Sequence, residues 1–213
     1  MKRLGGAGAP LRVGAAFVVA LAMPNLARSQ AAAPAPWGLF SARYDTRTSD
    51  FIYAVYGYGS NFGMVAVLHN PRSNYSEVLG AVGHNFRLAG GPTQSVALGA
   101  ARATEAWYAQ VYYLPALHRG PLWVRATSEL YVPLERAGTV QFALSPAAVT
   151  LGVARSVEAG VSLDLSTAQG SAPSTAVGPE LRVAVPKAVL GTDLQKVLSG
   201  SGGRLRIFFL TSF

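Results

Sequence analysis

The chain has 213 residues, 50% hydrophobic and 13% charged, with 23 Gly, 13 Pro and no Cys. That length suits one domain or at most two small ones, and the apolar, charge-poor balance excludes a disordered chain. The absence of Cys excludes a disulfide framework, thiolate metal ligation, a Cys nucleophile and a lipid-modified Cys anchor. No apolar run reaches the roughly 18–20 residues of a transmembrane helix.

The net charge of +8 is concentrated at the start of the chain. Lys2, Arg3, Arg12 and Arg28 fall in the first 30 positions with no acid among them, leaving 14 Lys+Arg against 10 Asp+Glu. The later arginines are scattered singly, without a basic stripe or a base-stacking motif, which argues against nucleic-acid binding.

Residues 1–30 have the pattern of an export signal. Lys2 and Arg3 form a positive start, Val13 to Met23 is an apolar stretch, and Ala27-Arg28-Ser29 offers small residues at a cleavage site expected near 29–31. Eleven apolar residues make about 16 Å of helix, half of a bilayer core. The Ala/Pro-rich run 31–36 is then an exposed mature N-terminus, and 37–213 is expected to form a single domain, a β-barrel on the strand pattern and terminal signal that follow.

From Trp37 onward the hydrophobic period is two rather than 3.6. Strands are predicted at 37–44, 50–58, 61–69, 75–88, 93–102, 106–114, 121–132, 139–145, 149–155, 159–167, 178–186 and 203–213. Breakers separate them at Asn70 to Ser73, Gly90 to Pro92, Pro115 to Pro121, Pro133 to Gly138 and Ser145-Pro146. Thr167 to Val177 and Lys187 to Gly203 read as loops, the second with a short helical turn. The count is about twelve, or eight to ten if weak segments merge. The clearest strand is Leu122 to Val132, where Leu122, Val124, Ala126, Leu130 and Val132 alternate with Trp123, Arg125, Thr127, Glu129 and Tyr131. Such one-sided strands suit either a soluble calyx or sandwich with its apolar face inward, or a membrane barrel with that face outward.

The last strand, Arg204 to Phe213, places Leu205, Ile207, Phe209 and Phe213 on one face with Thr211 the single polar interruption. A chain ending on Phe that closes an alternating apolar strand resembles the terminal signal of small bacterial outer-membrane β-barrel proteins, although no glycine interrupts it. The resemblance implies an antiparallel up-and-down transmembrane barrel in the outer membrane. It also implies outer-membrane lipid and the barrel-insertion machinery as partners. Tyr53, Tyr56, Tyr58, Trp107, Tyr108, Tyr112, Tyr113, Trp123 and Tyr131, within or at the ends of strands, fit bilayer interfaces and, nearly as well, core packing in a soluble β-protein.

Catalytic chemistry finds little support. His69, His84 and His118 lack metal-ligand spacing, and no G-x-S-x-G occurs. No His-x-Ser signature of a lipid A deacylase is present. The glycines of Gly57 to Gly63 match neither a dinucleotide nor a Walker loop and read as a tight turn. No catalytic residue, metal or cofactor is assigned.

One polar constellation stands out. Arg125, Thr127 and Glu129 share the polar face of 121–132, but Arg125 and Glu129 stand about 13 Å apart and each needs a partner on another strand. Asp164, Arg182, Arg204 and Arg206 are the candidates for a lumenal network that plugs the interior or lines a small pore. The expected lipid face carries Val124, Leu130, Val140, Phe142, Leu163, Val183, Ile207 and Phe209. With Phe213 at the periplasmic rim, 187–201, Asn70 to Asn74 and Pro133 to Gly138 face outward. Ser145-Pro146, Gly90 to Pro92 and Ser166 to Ala176 then fall on the periplasmic side. The function expected is a non-enzymatic outer-membrane barrel, structural or a narrow passive pore; the alternative is an exported soluble β-barrel or sandwich binding a small apolar ligand in its interior.

Overall fold

The computed structural model describes residues 35–87 and 92–213; the expected export signal lies outside them. Twelve antiparallel strands close into one barrel. In chain order they are β1 (Pro36–Asp45), β2 (Asp50–Tyr58), β3 (Asn61–Asn70), β4 (Tyr75–Arg87), β5 (Thr93–Ala103), β6 (Trp107–Arg119), β7 (Leu122–Pro133), β8 (Gln141–Ala154), β9 (Val157–Ala168), β10 (Ser174–Val185), β11 (Ala188–Val197) and β12 (Gly203–Ser212). Each strand pairs with its sequence neighbours, and β1 closes on β12 through Ala42 opposite Phe209 and Tyr44 opposite Ile207. Strands of nine to fourteen residues are long enough to cross a bilayer at a tilt.

Side-chain alternation sorts the two faces. Outward positions are apolar and exposed: Val65 is 63% exposed, Val82 70% and Leu181 44%. Register carries the assignment from strand to strand, so Leu130 sits opposite Phe142, and Val183 opposite Leu190. Inward positions include buried Asp45, Glu77, Asp164, Glu180, Asp193, Arg204 and Arg206. An apolar exterior around a charged interior is the inverse of a soluble calyx, and makes this a membrane-spanning barrel.

Connections differ at the two ends. At the rim holding both termini of the barrel, the start of β1 and the end of β12, four of the five hairpins have only two connecting residues: 59–60, 120–121, 155–156 and 186–187. Three of these turns use a residue of positive φ, supplied by Gly59, Gly120 and Lys187 at 59°, 58° and 65°. The opposite rim carries connections of three to seven residues.

Four segments correct the sequence-based expectation. The predicted strands 139–145 and 149–155 are one strand, β8, and Ser145-Pro146 is a bulge within it, since Ala126 to Ser128 of β7 spans Leu144 to Ala147 of β8. Proline lacks a ladder donor and is tolerated at such a bulge. Pro115 likewise lies inside β6, which runs on to Arg119, so the turn is only Gly120-Pro121. The stretch 187–203 contains strand β11 rather than a loop with a helical turn; its inward Asp193 and Gln195 give it the polarity of a loop. The predicted loop 167–177 shrinks to 169–173 and lies on the rim opposite the termini, not beside them. A split β8 and a missed β11 compensate, which is why the expected number of strands is also the observed one.

Candidate functional site

The barrel interior holds a cavity of about 750 Å³. Its lining reaches Trp37, Asn85 and Ser95 toward the rim with the termini, and Thr48, Ser49 and Ser171 toward the other. Along β1 it runs from Trp37 to Arg43, roughly 20 Å of strand.

One wall, built by β7 to β12 with Asp45 of β1, is held by two ion-pair clusters. In the first, Arg206 is 1% exposed and donates Nη1 and Nη2 to the two oxygens of Asp164 at 2.8 and 2.7 Å. Its Nε donates to Asp193 Oδ2 at 2.7 Å. Arg204, two residues earlier and so on the same face, reaches Asp164 at 2.7 Å and Asp45 at 3.4 Å. Gln195 Nε2 donates to Asp164 at 2.5 Å and to Ser162 at 2.8 Å, and the Ser145 hydroxyl adds a further donor to Asp164. The planar fork of arginine suits this shared, bidentate carboxylate. In the second cluster Arg125 bridges Glu158 at 3.2 Å and Glu180 at 2.7 Å. Arg182 joins it through Glu180, and Thr150 donates to Glu158 at 2.8 Å.

A third group carries carboxylates without ion pairs. Glu129 accepts the Tyr131 hydroxyl at 2.8 Å. Glu77, 1% exposed, accepts Tyr75 at 2.5 Å and Gln110 at 2.8 Å, and Tyr112 in turn donates to Gln110.

Of the seven sequence-derived residues, Asp164, Arg204 and Arg206 thus meet in one cluster and Arg125 and Arg182 in the other. Glu129 stands apart with Tyr131 of its own strand, and Thr127 lines the cavity. The partners missing from the sequence reading are Asp45, Asp193, Gln195, Glu158 and Glu180. The inward-outward alternation of Asp193-Leu194-Gln195 would have revealed two of them. On the outer surface Phe213 exchanges backbone hydrogen bonds with Gly38, at 2.8 and 3.1 Å, and lays its ring where a Cβ on Gly38 would sit.

The histidines occupy separate surroundings: His69 pairs with Ser76, His84 with Asn61, and His118 stacks on Trp123 at 3.8 Å. Among the described residues no group of His, Asp and Glu has the arrangement of a metal site.

No protein-family model and no curated protein matches the sequence. Solved structures do match the fold. The KdgM porin aligns with a TM-score of 0.59 at 8% identity, covering 83% of this chain and 99% of its own. The NanC porin gives 0.56 at 9% identity, over 82% and 98% of the two chains. The Acinetobacter baumannii outer membrane protein Omp33 gives 0.52 at 9%, over 84% and 97%. At such identities the likeness is one of architecture, and the architecture is that of the bacterial outer-membrane β-barrel porins.

Proposed function

We propose that the protein is a non-enzymatic outer-membrane barrel whose lumen is a narrow passive pore for small solutes. The observation that carries this reading is the cavity lined by residues from both rims, beside a wall braced by Arg206, Arg204 and Arg125. Packing arginines against carboxylates along one wall holds their side chains out of the path while keeping the interior polar. The rim with the two-residue hairpins faces the periplasm in this proposal, and the longer connections face outward. The outward row Leu205, Ile207, Phe209 and Phe213 is the segment offered to the barrel-insertion machinery.

The reading is tested by swelling of liposomes containing the refolded protein in solutes of increasing size. A rate that falls steeply from the smallest solutes upward supports it. Folded protein giving no more swelling than empty liposomes overturns it.

A further inference from the structure

Membrane-barrel interiors are generally polar, yet the wall of this lumen formed by β2 and β3, with Leu79 of β4 and Leu114 of β6, is apolar. Phe51, Tyr53, Phe62, Met64, Leu68 and Leu114 pack over a buried layer that includes Ala66, Leu79 and Tyr112, and their own side chains line the cavity. The buried layer needs no further explanation than packing. The six side chains above it face open space, where apolar surface is unfavourable unless something covers it.

The opposite observation lies in the same row of the sheet. Register places Leu68, Phe51, Arg43, Phe208, Gly191 and Arg182 side by side across β3, β2, β1, β12, β11 and β10. The guanidinium of Arg43 lies 5.3 Å from the Phe51 ring centroid and that of Arg182 lies 4.7 Å from Phe208. A Cβ at Gly191 would overlap the Phe208 ring, so the glycine is what lets that ring lie against the wall. Arg125, Arg182, Arg204 and Arg206 all hold carboxylates. Arg43 is the one lumenal arginine without an ion pair among the described residues, and its Nε is buried with no hydrogen-bond partner. The nearby acids are already engaged: Asp45 with Arg204, Glu129 with Tyr131, and Glu77, next to Leu68 in the row, with Tyr75 and Gln110.

A guanidinium without an ion pair beside an uncovered apolar wall is complementary to one kind of molecule. We propose that Arg43 and the wall of Phe51, Tyr53 and Leu68 form a lumenal binding site for small carboxylates with a flat apolar body. The carboxylate accepts hydrogen bonds from Arg43, and the body covers the wall from which water is displaced. The proposal deepens the pore reading by naming a solute class.

The test is calorimetric titration of the detergent-solubilised barrel with three probes, after subtraction of titrations into empty micelles. Benzoate has both features, acetate lacks the ring, and benzamide lacks the charge. Benzoate is expected to bind saturably and at least about tenfold more tightly than either of the others. Arg43→Gln should weaken benzoate by about tenfold or more, since it removes a charge-assisted contact. Leu68→Asn, close in shape, should weaken benzoate and leave acetate unchanged. Heat-modifiable gel mobility verifies that each variant is folded. Equal binding of benzoate and acetate, or benzoate binding indifferent to Arg43→Gln, overturns the site. Single-channel conductance in KCl, measured on the same samples, reports on the pore separately. A conducting barrel without benzoate preference refutes the site alone; benzoate binding without conductance refutes the pore alone.

Discussion

Arg206 is the residue on which the charged wall turns, and Arg206→Met tests that directly. The substitution keeps an unbranched stem, two atoms shorter, but leaves Asp193 without its cation, while Asp164 retains Arg204 at 2.7 Å and Gln195 at 2.5 Å. Removing one partner from a buried pair costs about 3–5 kcal/mol, because the remaining charge is stranded. The same change at Arg102, whose pair with Glu135 spans 3.5 Å with both side chains nearly half exposed, should cost less than about 1 kcal/mol. Adding Asp193→Asn to Arg206→Met removes the stranded charge and should bring the loss to within about 2 kcal/mol of the parent. Equilibrium urea unfolding in lipid vesicles, followed by tryptophan emission and by heat-modifiable mobility, measures all three. If Arg206→Met costs no more than Arg102→Met, the cluster is screened by lumenal water. If Asp193→Asn rescues nothing, the pairing is not what stabilises the wall.

Other consequences are as specific. Val65 lies at the centre of β3 on the outer face, so Val65→Arg should cost about 2–4 kcal/mol and sharply lower the heat-modifiable band, whereas inward Gln141→Arg should leave it near parental levels. Removing Phe213, or replacing Gly38 with Leu beneath its ring, should lower assembled barrel in the outer membrane without lowering export past the inner membrane; unchanged assembly in both would refute a role for this seam. An epitope near Ser199 should be labelled on intact cells and one at Gly120 should not, and the reverse pattern would invert the proposed orientation.

How far the sequence reveals this molecule depends on which face of a strand carries the information. Leu122 to Val132 and Arg204 to Phe213 are readable because their outward rows are nearly unbroken apolar and their inward rows carry the charges of Arg125, Glu129, Arg204 and Arg206. In β11 the outward row is Leu190, Thr192, Leu194 and Lys196, and the inward row includes Gly191, Asp193 and Gln195, so little apolar signal remains. Ser145-Pro146 has the composition of a turn, and only pairing with Ala126 to Ser128 shows that it is a bulge. The polar residues of the lumen could be placed on a face from the alternation, but their partners could not. Asp164 on β9 reaches Arg206 on β12, three strands away, and that meeting depends on the curvature of the closed barrel rather than on spacing within a strand. Asp45 enters the cluster only because β1 closes on β12.

The most direct test of the central claim, an apolar outside around a passable polar inside, uses the absence of native cysteine. Leu39 and Phe40 are adjacent in β1 at the same depth, with Leu39 lining the cavity and Phe40 on the row of Ala42 and Tyr44. Leu39→Cys and Phe40→Cys are each placed in a planar bilayer and exposed to a charged, membrane-impermeant thiosulfonate while current is recorded. The account predicts a stepwise, irreversible fall in current for Leu39→Cys and none for Phe40→Cys. Equal modification of the two, or folded protein that carries no current, would contradict it.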